Sequence, residues 1–157
     1  MDRVERLDAP TAGGHDTGAG PIRRLLLALV LVGAAGLCAE LFLLEHTESA
    51  TQWLPLLVIA AIFLSAFALI ARPSRRLVRL FQGVMVLALL IGALGVYLHF
   101  DGNTEFELEM DPNVRGLALI WSALHGATPA LAPGALVQLA LLGLISTYRH
   151  PLLRRPA

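Results

Sequence analysis

The sequence predicts an all-α membrane protein with four transmembrane helices, and three observations lead to this fold class. Of the 157 residues, 56% are hydrophobic and only 15% are charged. The mean hydropathy of +0.68 is too high for an ordinary soluble domain. Four apolar runs, each of roughly 19 to 23 residues, are long enough as helices to cross a hydrocarbon core of roughly 30 Å. Because unpaired backbone groups are costly in lipid, these runs must be helical.

The predicted spans are residues 22–44, 52–71, 77–99 and 130–148, and they form one membrane domain over residues 21–148. Residues 1–20 are polar and rich in Gly and Asp, which predicts a disordered tail, and residues 149–157 form a second tail. Ser49 and Gln52 have the spacing of a capping box before the second span. Ser74 is positioned to cap the third span.

The arginines predict the orientation of these spans. They cluster before the first span, between the second and third spans and after the fourth, and Arg115 is the exception. The positive-inside rule therefore predicts that both termini and the middle loop are cytoplasmic, in the inner membrane of a bacterium. The clustered residues are Arg3, Arg6, Arg23, Arg24, Arg72, Arg75, Arg76, Arg79, Arg149, Arg154 and Arg155.

The segment 100–129 is predicted to be an outer acidic loop followed by a short interfacial helix. Residues 104–111 alternate between apolar and acidic side chains, which is the period of a strand. Asp111 and Pro112 then have the pattern of an N-cap followed by proline in the first turn of a helix. This helix would run over residues 112–125, along the outer interface or dipping into it. Gly126, Pro129, Pro133 and Gly134 interrupt the backbone before or within the start of the fourth span.

Two glycine-containing helix faces suggest a polar site near the outer ends of the first and third spans. Gly33, Gly36 and Glu40 lie three and four residues apart, and Gly92, Gly95 and His99 repeat this spacing. If the two faces packed together, Glu40 and His99 would lie within about one helical turn in depth and could bind a proton or a metal. The alternatives are a chance match and a Glu40 that reaches the interface. Gln138 in the fourth span is predicted to form an interhelical hydrogen bond.

Further polar residues on the same predicted side could extend this site. Imidazole and carboxylate groups are ligands for divalent metals, so the predicted cofactor, where one exists, is a divalent metal. No HxxxH, HExxH or CxxC motif fixes the ligands, and polar residues that solvate surface loops are the simpler interpretation. Cys38 is the single cysteine and is predicted to be a core residue. The candidate cation or proton site consists of Glu40, Glu45, His46, His99, Asp101 and His125.

Three hypotheses for function follow from this pattern. The first is a non-enzymatic accessory or assembly component of a membrane complex, whose partners are the lipid bilayer and other membrane proteins or a second copy. The second is a component that binds or transports metal ions or protons at the outer face. The third is a membrane-embedded enzyme, which requires His125 within hydrogen-bond reach of Glu40 or His99. A zero net charge gives no bias toward nucleic acid, and no phosphate-binding or nucleophile motif is present.

Overall fold

A computed structural model describes residues 19–45, 49–126 and 128–153, and all the regular structure in them is helical. Four helices form the bundle: α1 (Ala19–Leu43), α2 (Ala50–Ala71), α3 (Arg75–Met110) and α5 (Gly134–Ser146). The short helix α4 (Gly116–Leu124) lies between α3 and α5, and a 3-10 turn (Pro151–Leu153) follows α5. Helices α1, α2 and α3 are long and apolar enough to cross a membrane. The predicted tail residues 1–18 and 154–157 lie outside the described residues.

The bundle is a ring in which each helix packs against two neighbours, in the order α1, α2, α3, α5. Contacts between α3 and α5 run in antiparallel order: Gly95 lies against Pro133, and Gln82 hydrogen-bonds to Thr147. Contacts between α1 and α5 also run antiparallel, from Gly33 at Leu139 to Arg23 at Arg149. Helices α1 and α3 therefore sit diagonally across the ring, and α5 packs against both of them.

The core is the centre of this ring and consists of aliphatic and aromatic side chains. Phe81 and Met85 of α3 and Ile62 of α2 are fully buried, as is Val30 of α1. Gly143 of α5 provides the space for Met85, because a Cβ atom there would meet the Met85 sulfur. The outer surface of the bundle is also apolar, as expected for helices that face lipid.

The first two helices and two caps agree with the sequence prediction. Helices α1 and α2 begin two or three residues before the predicted spans and end within one residue of them. The Gln52 Oε1 atom accepts a hydrogen bond from the Ser49 backbone N–H at 3.0 Å, as a capping box requires. The Ser74 Oγ atom accepts a hydrogen bond from the Leu77 N–H at 3.3 Å and caps α3.

The predicted strand at residues 104–111 is wrong, because α3 continues as a helix to Met110. The alternating pattern covers only eight residues, and an existing helix extends over them without the cost of nucleation. No partner strand is present in the described residues to pair with this segment. The Asp111 N-cap is also wrong, because Asp111 ends α3 and its carboxylate accepts a hydrogen bond from the Asn113 N–H. Helix α4 begins later than predicted, at Gly116.

Helix α5 is shorter than the predicted fourth span, with 13 residues. Turns replace the helix on both sides, over residues 130–133 and 147–149. The segment nevertheless continues along α3 beyond both ends of α5. At one end His99 contacts the Pro129 carbonyl, and at the other the 3-10 turn packs against α3, with Leu153 against the core.

Candidate functional site

Asn103 connects three segments at the end of the molecule opposite the arginine-rich end, although the sequence prediction did not single it out. Its side chain is 2% exposed and lies on the face of α3 that meets α4 and the interrupted segment before α5. The amide nitrogen donates to the Ala123 carbonyl at 2.8 Å and to the Thr128 carbonyl at 2.6 Å. The amide oxygen accepts from the Thr128 N–H at 3.2 Å and from the Thr128 hydroxyl. All donors of the Asn103 amide are therefore used, and one residue connects three segments.

His99 lies one helical turn before Asn103 on the same face of α3. Its Nδ1 lies 3.3 Å from the Pro129 carbonyl oxygen, so a protonated Nδ1 donates a hydrogen bond to that carbonyl. Pro129 belongs to the interrupted segment, whose backbone cannot complete a helical hydrogen-bond ladder. His99 and Asn103 together therefore supply polar partners to the backbone of Pro129 and Thr128, at the level where the chain enters the bundle.

The two glycine faces do not pack on each other, which corrects the predicted pairing. A Cβ atom at Gly33 would lie 2.5 Å from Leu139, and one at Gly92 would lie 2.8 Å from Val137, so both faces pack on α5. Gly95 likewise contacts Pro133, whereas Gly36 has open space beside it. Gly33, Gly92 and Gly95 allow close approach of α5, which occupies the position that the prediction gave to the opposite glycine face.

The described carboxylates of the predicted cation site are exposed. Glu40 is exposed on α1, and its carboxylate makes no hydrogen bond or ion pair within the described residues, so it is not paired with His99. Glu45 follows α1 with a φ of 51°, the left-handed conformation that often ends a helix. Asp101 is exposed on α3, and His46 lies outside the described residues.

Among the described residues, no group of three or more His, Cys, Asp or Glu side chains could hold a metal ion. Because His46 is not among them, the predicted cation site stays a prediction. His125 Nδ1 lies 2.9 Å from the Trp121 carbonyl oxygen, and its ring packs on the Trp121 ring at a centroid distance of 4.3 Å. The enzyme hypothesis requires a hydrogen bond from His125 to Glu40 or His99. Within the part of the chain that the structure describes, His125 makes neither bond.

Gln138 does not form the interhelical hydrogen bond that was predicted for it. Its side chain is exposed on α5 and makes no hydrogen bond to the described residues. An amide in this position faces lipid if α5 crosses the membrane, and there its hydrogen-bonding groups require a partner from another molecule.

Helix α4 presents an exposed apolar stripe, which is the most unusual surface at the Asn103 end of the molecule. Leu117, Ile120, Trp121 and Leu124 follow helical spacing and are 84%, 45%, 67% and 36% exposed. The opposite face of α4 packs on α3 through the fully buried Ala123. The stripe therefore points away from the bundle.

The last third of α3 carries a second surface, which is acidic. Asp101, Glu105 and Glu109 are exposed and follow at four-residue spacing, so they share one face. At 100° per residue this face lies opposite Asn103, away from α4. Like charges one turn apart repel each other by a few tenths of a kcal/mol, so this face favours a cationic partner.

The chain matches no known protein family, no curated protein and no solved structure.

Proposed function

We propose that this chain is a four-span protein of the bacterial inner membrane that acts as a non-enzymatic accessory or assembly component of a membrane complex. In this proposal the outer part of α3 and helix α4 form an outer hairpin, and the stripe of α4 binds a protein partner. The observation that carries the proposal is the exposed apolar stripe of α4, and in the proposal this helix lies outside the hydrocarbon.

The length of α3 supports the position of the outer hairpin. Helix α3 has 36 residues and is about 54 Å long, whereas a hydrocarbon core is about 30 Å thick. Its first turns carry Arg75, Arg76 and Arg79, so the excess length lies at the other end, after about residue 97. Asn103, which binds α4, is then about 9 Å beyond the hydrocarbon.

The stripe on α4 requires a partner at this depth. Helix α4 begins near the outer end of α3, and its last residues meet Asn103, so Leu117 lies farther from the bilayer than Leu124. Head groups extend only about 5 to 8 Å beyond the hydrocarbon, so lipid does not cover the whole stripe. Exposed contiguous apolar surface in water is typical of a protein interaction site, and Trp is a frequent anchor in such sites.

The arginine-rich ends support the orientation. Arg23, Pro73 and His150 line one cavity, so the start of α1, the end of α2 and the end of α5 lie together. In a membrane these ends share one side, and the positive-inside rule assigns that side to the cytoplasm. The acidic face of α3 is then outside and favours a partner whose contact surface is basic beside an apolar groove.

The test uses the full chain in native membranes, with a photo-crosslinking amino acid in place of Leu117. A cross-link to a distinct membrane protein is the expected result, and two differently tagged copies distinguish a foreign partner from self-association. The variant with Leu117→Ala and Trp121→Ala is expected to lower recovery of that partner by roughly ten-fold or more, because buried Trp anchors often contribute about 2 kcal/mol.

Leu90→Ala provides the matched control, because Leu90 is 62% exposed on the part of α3 that faces lipid. This variant is expected to retain the partner. If Leu117 cross-links only to lipid, or if the stripe variant recovers as much partner as the control, the proposed docking role is wrong.

A further inference from the structure

The arginine-rich end of the bundle contains an open cavity of about 600 Å³ between α1, the end of α2 and the end of α5. This volume lies within the range of pockets that hold small molecules, roughly 300 to 1,000 Å³. Its lining includes the basic side chains of Arg23, Arg24 and His150, here called the mouth, and the apolar side chains of Leu27, Leu31 and Ile70, here called the wall. The cavity is therefore cationic at one end and apolar along its length.

The mouth favours an anion. None of the described residues that line the cavity carries a carboxylate, so no described carboxylate neutralises the two guanidinium groups there. Arg23 is held in place because its Nη2 donates to the Arg149 carbonyl oxygen at 3.2 Å. Arg149 has a φ of 47°, and this left-handed turn brings the chain back from α5 toward α1. Burial and then the charge of Arg23 lower the pKa of His150, which agrees with a positive potential at the mouth.

The wall identifies the class of anion. Arg23, Leu27 and Leu31 follow at four-residue spacing on α1, so the apolar wall continues about 12 Å from the charged mouth along the helix. Leu69 and Ile70 face it from α2. A free phosphate ion would use only the mouth, whereas a phospholipid has a phosphate to bind the arginines and an acyl chain to cover the leucines.

We infer that this cavity is a binding site for one anionic glycerophospholipid, with its phosphate between Arg23, Arg24 and His150 and an acyl chain along Leu27 and Leu31. The site selects anionic lipid over zwitterionic lipid by charge. It is separate from the outer hairpin, so its occupancy does not depend on the proposed partner.

The experiment measures binding of a fluorescent phosphatidylglycerol to the purified full chain, with phosphatidylcholine as the competing lipid. Arg24→Gln removes a charge of the mouth without touching the bond between Arg23 and Arg149. This variant is expected to weaken binding by roughly five-fold, because an arginine near an anionic surface contributes about 1 kcal/mol. Arg75→Gln is the matched control, since Arg75 lies at the same end of the bundle but does not line the cavity.

A second pair of variants tests the apolar wall. Ala28 lines the cavity, and Ala28→Phe is expected to fill it and lower lipid binding by ten-fold or more. Ala35→Phe is the control, because Ala35 is exposed two turns later on the same helix face and outside the cavity. Size-exclusion elution and helical circular dichroism confirm that each variant is folded.

Three results would overturn the inference. Equal losses in Arg24→Gln and Arg75→Gln would show only general surface attraction. Full binding by Ala28→Phe would show that no acyl chain occupies the cavity. Inorganic phosphate that displaces the lipid at equal concentration would identify an anion site instead of a lipid site.

Discussion

Replacing Asn103 should release α4 and the segment before α5 from α3 while leaving the spans folded. Two variants separate the contributions. Asn103→Ala removes all the hydrogen bonds of the amide. Asn103→Asp keeps the size of the side chain but replaces the donor nitrogen with an oxygen that faces the carbonyls of Ala123 and Thr128.

The magnitude follows from the contacts of Asn103. The side chain makes four hydrogen bonds, and each contributes a net of roughly 0.5 to 1.5 kcal/mol. Thr128 is exposed, so its groups can bind water after the substitution, whereas Ala123 is buried. A loss of about 2 to 3 kcal/mol is therefore expected for Asn103→Ala, and at least as much for Asn103→Asp because its oxygens repel the two carbonyls.

Amide hydrogen exchange of the purified protein measures this loss locally, because opening of the hairpin does not require unfolding of the bundle. Exchange in residues 116–135 should be roughly 30 to 150 times faster in Asn103→Ala, while exchange in α2 should be unchanged. Gly102→Ala is the control. Its Cβ meets no atom within 4 Å, and it should stabilise α3 by roughly 0.5 to 1 kcal/mol.

An exchange rate in residues 128–133 within about three-fold of the wild type would refute the reasoning, since three-fold corresponds to less than about 1 kcal/mol. A uniform increase over all helices would also refute it. That result would assign Asn103 to global stability, and the hairpin would not be a separate unit.

Further substitutions test the packing, the helix end and the arginine-rich mouth. Gly92→Ala places a Cβ atom 3.0 Å from the Val137 backbone nitrogen and should destabilise the bundle by roughly 1 to 3 kcal/mol. Gly36→Ala meets open space and should not destabilise it. Thermal unfolding in detergent compares the two variants. Glu45→Gly replaces a residue with a φ of 51° by glycine, which adopts this conformation without strain, and should stabilise the protein by about 1 kcal/mol. A loss of bound zinc in the same variant would support the predicted cation site. The pKa of His150 is lowered from 6.5 by burial and then by Arg23, so its protonation should destabilise the fold as the pH falls below 6.5. Between about pH 7 and pH 5 the unfolding temperature of the wild type should therefore fall more than that of His150→Gln. Equal decreases in the two proteins would contradict this prediction.

The long apolar helices could be predicted because hydrocarbon leaves the backbone few choices. Any run of about 20 apolar residues satisfies its backbone groups as a helix, so the positions of α1 and α2 follow from composition alone. Their caps follow from local rules as well, since Ser49 and Gln52 are three residues apart. The arrangement of the helices in the ring does not follow, because apolar faces differ little from one another. Gly33 and Gly92 lie at helix interfaces, but the helix that packs on both of them is α5.

The outer end shows how local signals can mislead. The residues Gly102 and Asn103, followed by alternating acidic and apolar side chains, favour a loop and a strand when only their neighbours are considered. In the structure Asn103 lies within α3, and its amide donates a hydrogen bond to the Thr128 carbonyl, 25 residues later in the chain. This contact stabilises Asn103 in the helix. Local residue spacing cannot predict this hydrogen bond, because the side chain and the backbone that it binds are distant in sequence.

The interrupted segment, residues 126–133, lies beside the face of α3 that carries His99 and Asn103. Proline and glycine before α5 leave backbone groups of this segment without helical partners. His99 and Asn103 lie one turn apart and supply hydrogen bonds to Pro129 and Thr128, so the interruption is compensated from α3. A histidine that uses Nδ1 for a backbone carbonyl is also oriented as metal-binding histidines are. The structural role of His99 and the predicted cation site are therefore compatible, and zinc binding by the full chain, compared between the wild type and His99→Ala, separates them.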